Sequence, residues 1–346
     1  MNEVGLNVNA STAAIFGCSG LSLSVDERRF FTECQPVGFI LFGRNIETPE
    51  QVTSLVAALK SCVTSPNPLI LVDQEGGRVA RLRPPYWSAY PSAQRIGALY
   101  QQNKTEGENA ADLVGRLIAD ELAPLGFNVD CAPVLDVRRE GAHDIIGDRA
   151  YSDDAAIVAR LGRVVSAGLM RGGVLPIIKH IPGHGRAGAD SHVELPVVDT
   201  SMEALRQTDF AAFRAYADAP MAMTAHVIYS DIDARYPATV SRTVLQTIVR
   251  DDIGFDGLLM SDDLSMKALK GVMEERARGA IDAGCDVALH CNGDMAEMVD
   301  VASACGRMTL EAMARLDSAQ RFLSKPDDFN RAEALEKLET LLKGAA

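Results

Sequence analysis

The stretch Lys179-His180-Ile181-Pro182-Gly183-His184-Gly185, followed by Asp190-Ser191-His192, gathers three of the chain's six histidines beside a lysine and an aspartate. Histidine titrates near neutral pH, so it can both give and take a proton, provided a partner fixes its tautomer. Asp190 stands two residues before His192, where a local Asp–His pair is sterically easy and would favour the imidazolium. Pro182 and the glycines make the intervening chain an irregular loop. The same residue types could ligate a metal. However, the spacing of His180 and His184 suits a metal only on a helix face, which Pro182 and Gly183 preclude. No HExxH occurs, and Lys179 would set a positive charge beside the cation. A phosphate-binding GxxxxGK[ST] loop is also absent.

Other chemistry-bearing residues follow apolar runs: Asp73-Gln74-Glu75-Gly76-Gly77-Arg78 with Arg81, then Asp136 and Asp148-Arg149, then Thr224-Ala225-His226, then Ser261-Asp262-Asp263. Transfer of a glycosyl group needs a carboxylate at one face of a sugar ring and a proton donor to the leaving oxygen at the other. Asp262 or Asp263 could be the carboxylate, and only one is needed. A histidine with its aspartate could be the donor. Lysine and arginine, with Asp73, would hold hydroxyls and carbonyls by charge-assisted hydrogen bonds. His226 reads equally as a wall residue or a ligand contact. His143 and His290 read as structural, and Trp87, in the proline-rich stretch Pro84–Pro91, as an ordinary loop aromatic.

Something must bring these segments together. Short apolar runs recur at Ala13–Phe16, Val37–Phe42, Leu69–Val72, Phe127–Cys131, Val174–Ile178, Met221–Ala225, Gly257–Met260 and Asp286–Leu289. Helical stripes alternate with them. Ala110, Leu113, Val114, Leu117 and Ile118 form one; Ser152 is the expected cap of another through Ile157, Leu161, Val165 and Leu169; Ser241 caps a third through Val244, Ile248 and Val249. Alternating strands and helices with apolar strands predict a parallel sheet covered on both faces, and eight repeats favour a closed (β/α)₈ barrel. In that fold the strand ends converge on one mouth. Beyond about residue 310 the pattern is helical and charged, an extension of the barrel.

Composition narrows the partners. Of 346 residues, 47% are hydrophobic and 23% charged, enough for a large core. A net charge of −13 repels phosphate backbones and argues against nucleic acid. Seven scattered cysteines without a CxxC pair suggest neither a disulfide framework nor a zinc cage. No basic-then-apolar leader and no apolar stretch long enough to span a bilayer is seen, so a reduced, cytoplasmic protein without membrane attachment is expected. A monomer is expected.

The motifs VDQEGGRV at Val72–Val79, KHIPGHG at Lys179–Gly185, DSH at Asp190–His192 and SDDLSM at Ser261–Met266 resemble those of glycoside hydrolase family 3, specifically its bacterial β-N-acetylglucosaminidases. The likeness extends from Gly38–Asn45 to Ala283–Asp286; Ile181 stands where phenylalanine is common. The resemblance implies a single-domain TIM barrel over about residues 10–310 with a helical extension over 311–346. It implies retaining hydrolysis of terminal β-linked N-acetylglucosamine from cytoplasmic GlcNAc-1,6-anhydro-muropeptides during peptidoglycan recycling, without metal or organic cofactor. It further implies Asp262 as nucleophile, His192 as acid/base with Asp190 as its partner, and Asp73, Arg81, Arg149, Lys179 and His180 as sugar contacts. The resemblance, not the spacing, chooses Asp262 over Asp263. Two alternatives stay open: a phosphorylase, because a histidine acid/base would not repel incoming phosphate, and a catalytically idle sugar-binding sensor.

Overall fold

Parallel strands with no polar face must be covered on both sides, and closing them into a ring removes the exposed edges as well. A computed structural model describes residues 11–139, 141–188 and 195–343. Its strands are β1 (Thr12–Phe16), β2 (Pro36–Leu41), β3 (Leu69–Val72), β4 (Val129–Asp130), β5 (Leu175–Ile181), β6 (Met221–Thr224), β7 (Leu258–Asp263) and β8 (Val287–His290). Each pairs in parallel with its neighbours in sequence, and β8 closes the ring on β1 through Ile15–Leu289. The expected (β/α)₈ barrel is therefore present, with every expected strand in it.

Three strand boundaries differ from expectation in ways that matter. β4 is short because Pro133 has no N–H to give; beyond Asp130 the chain runs on beside β5 through Ile177 N–H to Ala132 O at 3.0 Å and Lys179 N–H to Pro133 O at 3.2 Å. β5 runs on past Ile178 to Ile181, and β7 past Met260 to Asp263, so Lys179, His180, Asp262 and Asp263 stand on strands rather than in loops. Both extensions carry an irregularity. Lys179 and Ile181 of β5 face the consecutive residues Met223 and Thr224 of β6, while Met260 and Asp263 of β7 face Val287 and Leu289 of β8. Each mismatch is one extra residue, a bulge, which changes where side chains aim.

The outer helices follow the apolar stripes. Lys104–Leu122 is capped by Asn103 and buries Ala110, Val114, Leu117 and Ile118. It lies against Ala155–Arg171. That helix is capped by Asp154, not by Ser152: Asp154 accepts from Ala156 N–H at 2.7 Å, and the Ser152 hydroxyl accepts from Asp154 N–H one step earlier. The Ser241 hydroxyl does accept from Val244 N–H at 3.1 Å, but the following helix, Val244–Asp252, winds in the wider π form. Past β8, Met295–Cys305 is followed by Leu310–Gln320 and Arg331–Lys343. The last of these is tied to the barrel by Arg331, which pairs with Asp120 and Glu121. Trp87 is buried beside Tyr86. His290 is buried with Nε2 2.9 Å from Glu297, and His143 Nδ1 accepts from Ile145 N–H. Neither lines the cavity at the carboxyl ends of the strands.

Lys104–Leu122 and Ala155–Arg171 touch backbone to backbone. A Cβ on Gly115 would stand 2.2 Å from the Val165 carbonyl, and one on Gly168 2.6 Å from the Asp112 carbonyl. Gly115→Val should therefore lower stability by roughly 1–3 kcal/mol in a urea titration. Gly20→Ala, where an added Cβ meets nothing within 4 Å, should stay within about 0.5 kcal/mol of wild type. Equal effects would mean that this contact does not set the helix spacing.

Candidate active site

At the carboxyl ends of the strands a cavity of about 330 Å³ is lined by Asp73, Arg81, Arg149, Lys179, His180 and Asp262. The six come from four stretches of the sequence, and the barrel brings them together. Asp190 and His192 lie outside the described residues. Glu75, Asp263 and His184 also border the cavity, with Met223, Met266 and Leu289 as its apolar wall.

The centre of the site is Lys179, which is 2% exposed. Its Nζ lies 2.9 Å from Asp73 Oδ1 and 2.7 Å from Glu75 Oε1. Arg149 grips the same Glu75 through two parallel bonds of 2.8 Å, and Arg81 reaches Asp73 Oδ2 at 2.9 Å. Asp73 and Glu75 share a face because they are two residues apart in extended chain, while Gln74 between them turns away. Its side chain accepts from Arg81 and Leu82 N–H and donates to Leu82 O. Burial alone would raise the Asp73 carboxyl, but Lys179 and Arg81 outweigh it and hold the group well below the usual carboxylate range. For Glu75, burial is outweighed in the same way by Arg149 and Lys179. Burial acts to strip Lys179 of its proton, and Asp73 and Glu75 reverse that, raising it above the ordinary lysine value. All three are ionised at neutral pH.

His180 is adjacent to Lys179 in the strand, and in a regular strand the two would face opposite sides. The bulge lets both line the cavity. Asp136, wholly buried, holds the turn that follows: Oδ2 is 2.7 Å from His180 Nδ1, while Oδ1 accepts from the His180 N–H at 3.2 Å and the His184 N–H at 2.6 Å. An ionised carboxylate only accepts, so Nδ1 carries a proton. Burial opposes the Asp136 charge, and His180 beside it more than compensates. His184 is pushed down to about 4 by burial, with His180 adding to the effect, so it is neutral at pH 7.

The two aspartates of β7 differ. Asp263 Oδ1 accepts from Ser265 N–H at 3.0 Å and Cys291 N–H at 3.1 Å, and Oδ2 accepts from the Ser265 hydroxyl at 2.6 Å. Both its oxygens are thus committed to holding the loop. Asp262 has its N–H on Thr224 Oγ1 at 3.2 Å, and its Oδ1 accepts from Asp263 N–H at 2.8 Å. His226 is a wall residue, with Nε2–H donating to Asp263 O at 3.0 Å and Nδ1 2.7 Å from Thr239 Oγ1.

Chemically, the cavity combines buried charged groups of both signs, a histidine held by a buried carboxylate, a strand-end carboxylate and an apolar wall. That set suits a polyhydroxylated ring. No group of three His, Cys, Asp or Glu side chains that could hold a metal occurs among the described residues. Glu75 and Asp136 were visible in sequence but not assigned to the site. The Asp73-x-Glu75 alternation was a usable signal for the first; nothing local marks the second.

The sequence profile of the glycosyl hydrolase family 3 N-terminal domain matches residues 19–325. A β-hexosaminidase of Thiobacillus denitrificans is 40% identical over 278 residues, 79% of this chain and 76% of that protein. Another, of Nitrosomonas eutropha, is 35% identical over 332 residues, covering 90% of this chain and 94% of its own. Among solved structures, native NagZ from Neisseria gonorrhoeae has a TM-score of 0.84 at 31% identity, covering 97% of this chain and 98% of that one. The same protein in complex with N-trifluoroacetyl-D-glucosamine also has a TM-score of 0.84, at 31% identity, and covers 97% of each chain.

The buried charge network makes a stability prediction. Glu75→Gln leaves Lys179 and Arg149 short of a counter-charge, which should cost roughly 3–5 kcal/mol at pH 7 by urea unfolding. Asp73 and Glu75 have depressed folded values, so their contribution is complete above the unfolded value and is lost as pH falls through the folded one. Wild-type stability should therefore decline between about pH 5 and pH 2, and the Gln variant should decline less steeply. A variant within about 0.5 kcal/mol of wild type, with an unchanged acid limb, would contradict the pairing.

Proposed function

Because the chain belongs to glycosyl hydrolase family 3, we propose that the cavity hydrolyses terminal β-linked N-acetylglucosamine with retention of configuration, by way of a glycosyl-enzyme on Asp262. The enzyme is a β-N-acetylhexosaminidase. Asp73, Arg81, Arg149, Lys179 and His180 hold the sugar's hydroxyls and amide. An Asp262 oxygen attacks the anomeric carbon as the bond to the leaving oxygen breaks, and His192 gives that oxygen its proton. His192, now neutral, takes a proton from water. The water oxygen displaces Asp262, which departs as the carboxylate, and His192 is left protonated for the next cycle. Asp190 holds the imidazole in the tautomer and orientation both steps need.

The observation that carries this reading is the cavity itself: Asp262 stands at its wall among Asp73, Arg81, Arg149, Lys179 and His180, groups furnished for a polar ring. The substrate class we infer is a soluble peptidoglycan fragment, a GlcNAc-1,6-anhydro-muropeptide, processed in the cytoplasm during cell-wall recycling. Its support is the resemblance in the VDQEGGRV, KHIPGHG, DSH and SDDLSM motifs. The same resemblance supports one catalytic barrel domain with a helical extension, acting as a monomer without cofactor.

The test uses a nitrophenyl β-N-acetylglucosaminide, whose phenolate leaves without much help from an acid. Wild type should release free GlcNAc with or without phosphate; GlcNAc-1-phosphate would establish phosphorolysis instead. His192→Ala should give a fast burst of phenol, then turnover slowed by roughly 10²–10⁴-fold, as removal of a general acid–base group typically does. A small anionic nucleophile such as azide should speed the slow phase, and Asp190→Ala should share the phenotype. Equal loss of burst and turnover would make His192 a binding residue only.

A further inference from the structure

Asp130 closes β4 with a side chain that is wholly buried and does not line the catalytic cavity. The pairing of β3 with β4 stops at Val72 and Asp130. Two residues on from Val72, the Gln74 N–H faces the same side, and its acceptor there is a side chain: Asp130 Oδ1 lies 2.9 Å away. Gln74 is buried as well. Its Oε1 accepts from Arg81 N–H at 2.9 Å and Leu82 N–H at 3.1 Å, and its Nε2 donates to Leu82 O at 2.9 Å. Asp73 and Arg81, whose side chains meet at 2.9 Å, therefore both lead back to one oxygen. Asp73 is the neighbour of Gln74 in the chain, and the Arg81 backbone is held by the Gln74 side chain.

Asp130 differs from Asp136, the other buried aspartate that holds a segment of this mouth. Asp136 accepts from two backbone N–H groups and from His180. Among the described residues, the Asp130 side chain has the Gln74 N–H alone, and its Oδ2 is buried without a hydrogen-bond partner. Burial pushes its carboxyl well above the usual carboxylate range. A protonated carboxyl keeps one oxygen as an acceptor, and it sets no third negative charge beside Asp73 and Glu75.

We propose that Asp130 is a positioning residue for the substrate: by holding Gln74 it sets Asp73 and Arg81 at the spacing that receives the sugar's hydroxyls. The inference rests on the hydrolase reading above. Without this acceptor the Gln74 N–H is left unpaired in a closed interior, and the chain after β3 has to shift to satisfy it. Asp73 moves with that shift, and Arg81 loses its anchor. Asp262 stands on β7, four places round the eight-stranded ring from β3, so the reacting end of the sugar is the last to feel the change. The loss falls on the hydroxyls at the other end.

Substrate analogues separate positioning from stability. The probes are the nitrophenyl β-N-acetylglucosaminide and its 3-, 4- and 6-deoxy forms. In wild type at least one deletion should lower kcat/KM by roughly 10- to 100-fold, the worth of a charge-assisted hydrogen bond. Asp130→Leu, which fills the space but accepts nothing, should lower kcat/KM for the full sugar by a similar factor and shrink that deoxy penalty to below about threefold. A smaller folded fraction would scale all four rates alike and leave the penalty unchanged. Asp130→Asn keeps an acceptor without a charge, and should retain the penalty and a rate within about threefold of wild type. If the Leu variant does not fold, Asp130→Ala makes the same comparison. An undiminished penalty in the Leu or Ala variant, an Asn variant as impaired as Leu, or no deoxy penalty in wild type would overturn the proposal. If wild type turns over no glycoside, the hydrolase reading has failed. Calorimetric affinities for GlcNAc and its deoxy forms then make the comparison: a penalty lost in Asp130→Leu supports the positioning role, and equal penalties, or no binding to wild type, refute it.

Discussion

A lysine ammonium buried against two carboxylates is the constraint around which the barrel mouth is arranged. An unpaired charge at the position of Lys179 would be too costly to keep, so the site exists only when three segments are in register. The extended chain after β3 must set Asp73 and Glu75 on one face. β5 must bring Lys179 level with them, and the turn after β4 must deliver Arg149 to the far side of Glu75. Misplacing any one leaves a charge unmatched. A sugar entering this mouth therefore meets donors and acceptors that are already oriented, and little reorganisation is left for binding or reaction.

Two bulges complete the arrangement. A regular parallel strand presents alternate residues to the barrel interior, so Lys179 and His180 could not both serve the same cavity. The extra residue in β5 removes that restriction, and Asp136 fixes the result by accepting from His180 Nδ1 and from two backbone N–H groups. The extra residue in β7 lies between Met260 and Asp263, where the two aspartates stand. Both border the cavity, and the Asp263 carboxylate is held by Ser265 and Cys291.

Much of this was legible in the sequence, because the fold is written in long-range alternation that needs no fine geometry. The apolar runs from Ala13–Phe16 to Asp286–Leu289 mark the barrel strands, and the polar residues after them converge once the ring closes. What escaped reading depends on single hydrogen bonds. Asp154 rather than Ser152 caps its helix, both being good cap types two residues apart. Pro133 shortens β4 by lacking one N–H. Asp136 follows an apolar run like any strand-end acid, and its hold on His180 and His184 needs the turn at Pro182 to exist first. The bulges that carry β5 and β7 past their apolar runs have no local signature, since Lys-His and Asp-Asp read as the start of a loop.

The claim on which the rest depends is that Asp262 is the nucleophile. It is tested most directly by trapping: a slow fluorinated analogue of a β-GlcNAc donor is incubated with the enzyme, and the digest is read by mass spectrometry. Attack proceeds while release is delayed, so the sugar should be found covalently attached to Asp262. A sugar on Asp263, or turnover of the donor with no protein adduct because the substrate's own acetamido oxygen has attacked, would contradict the account.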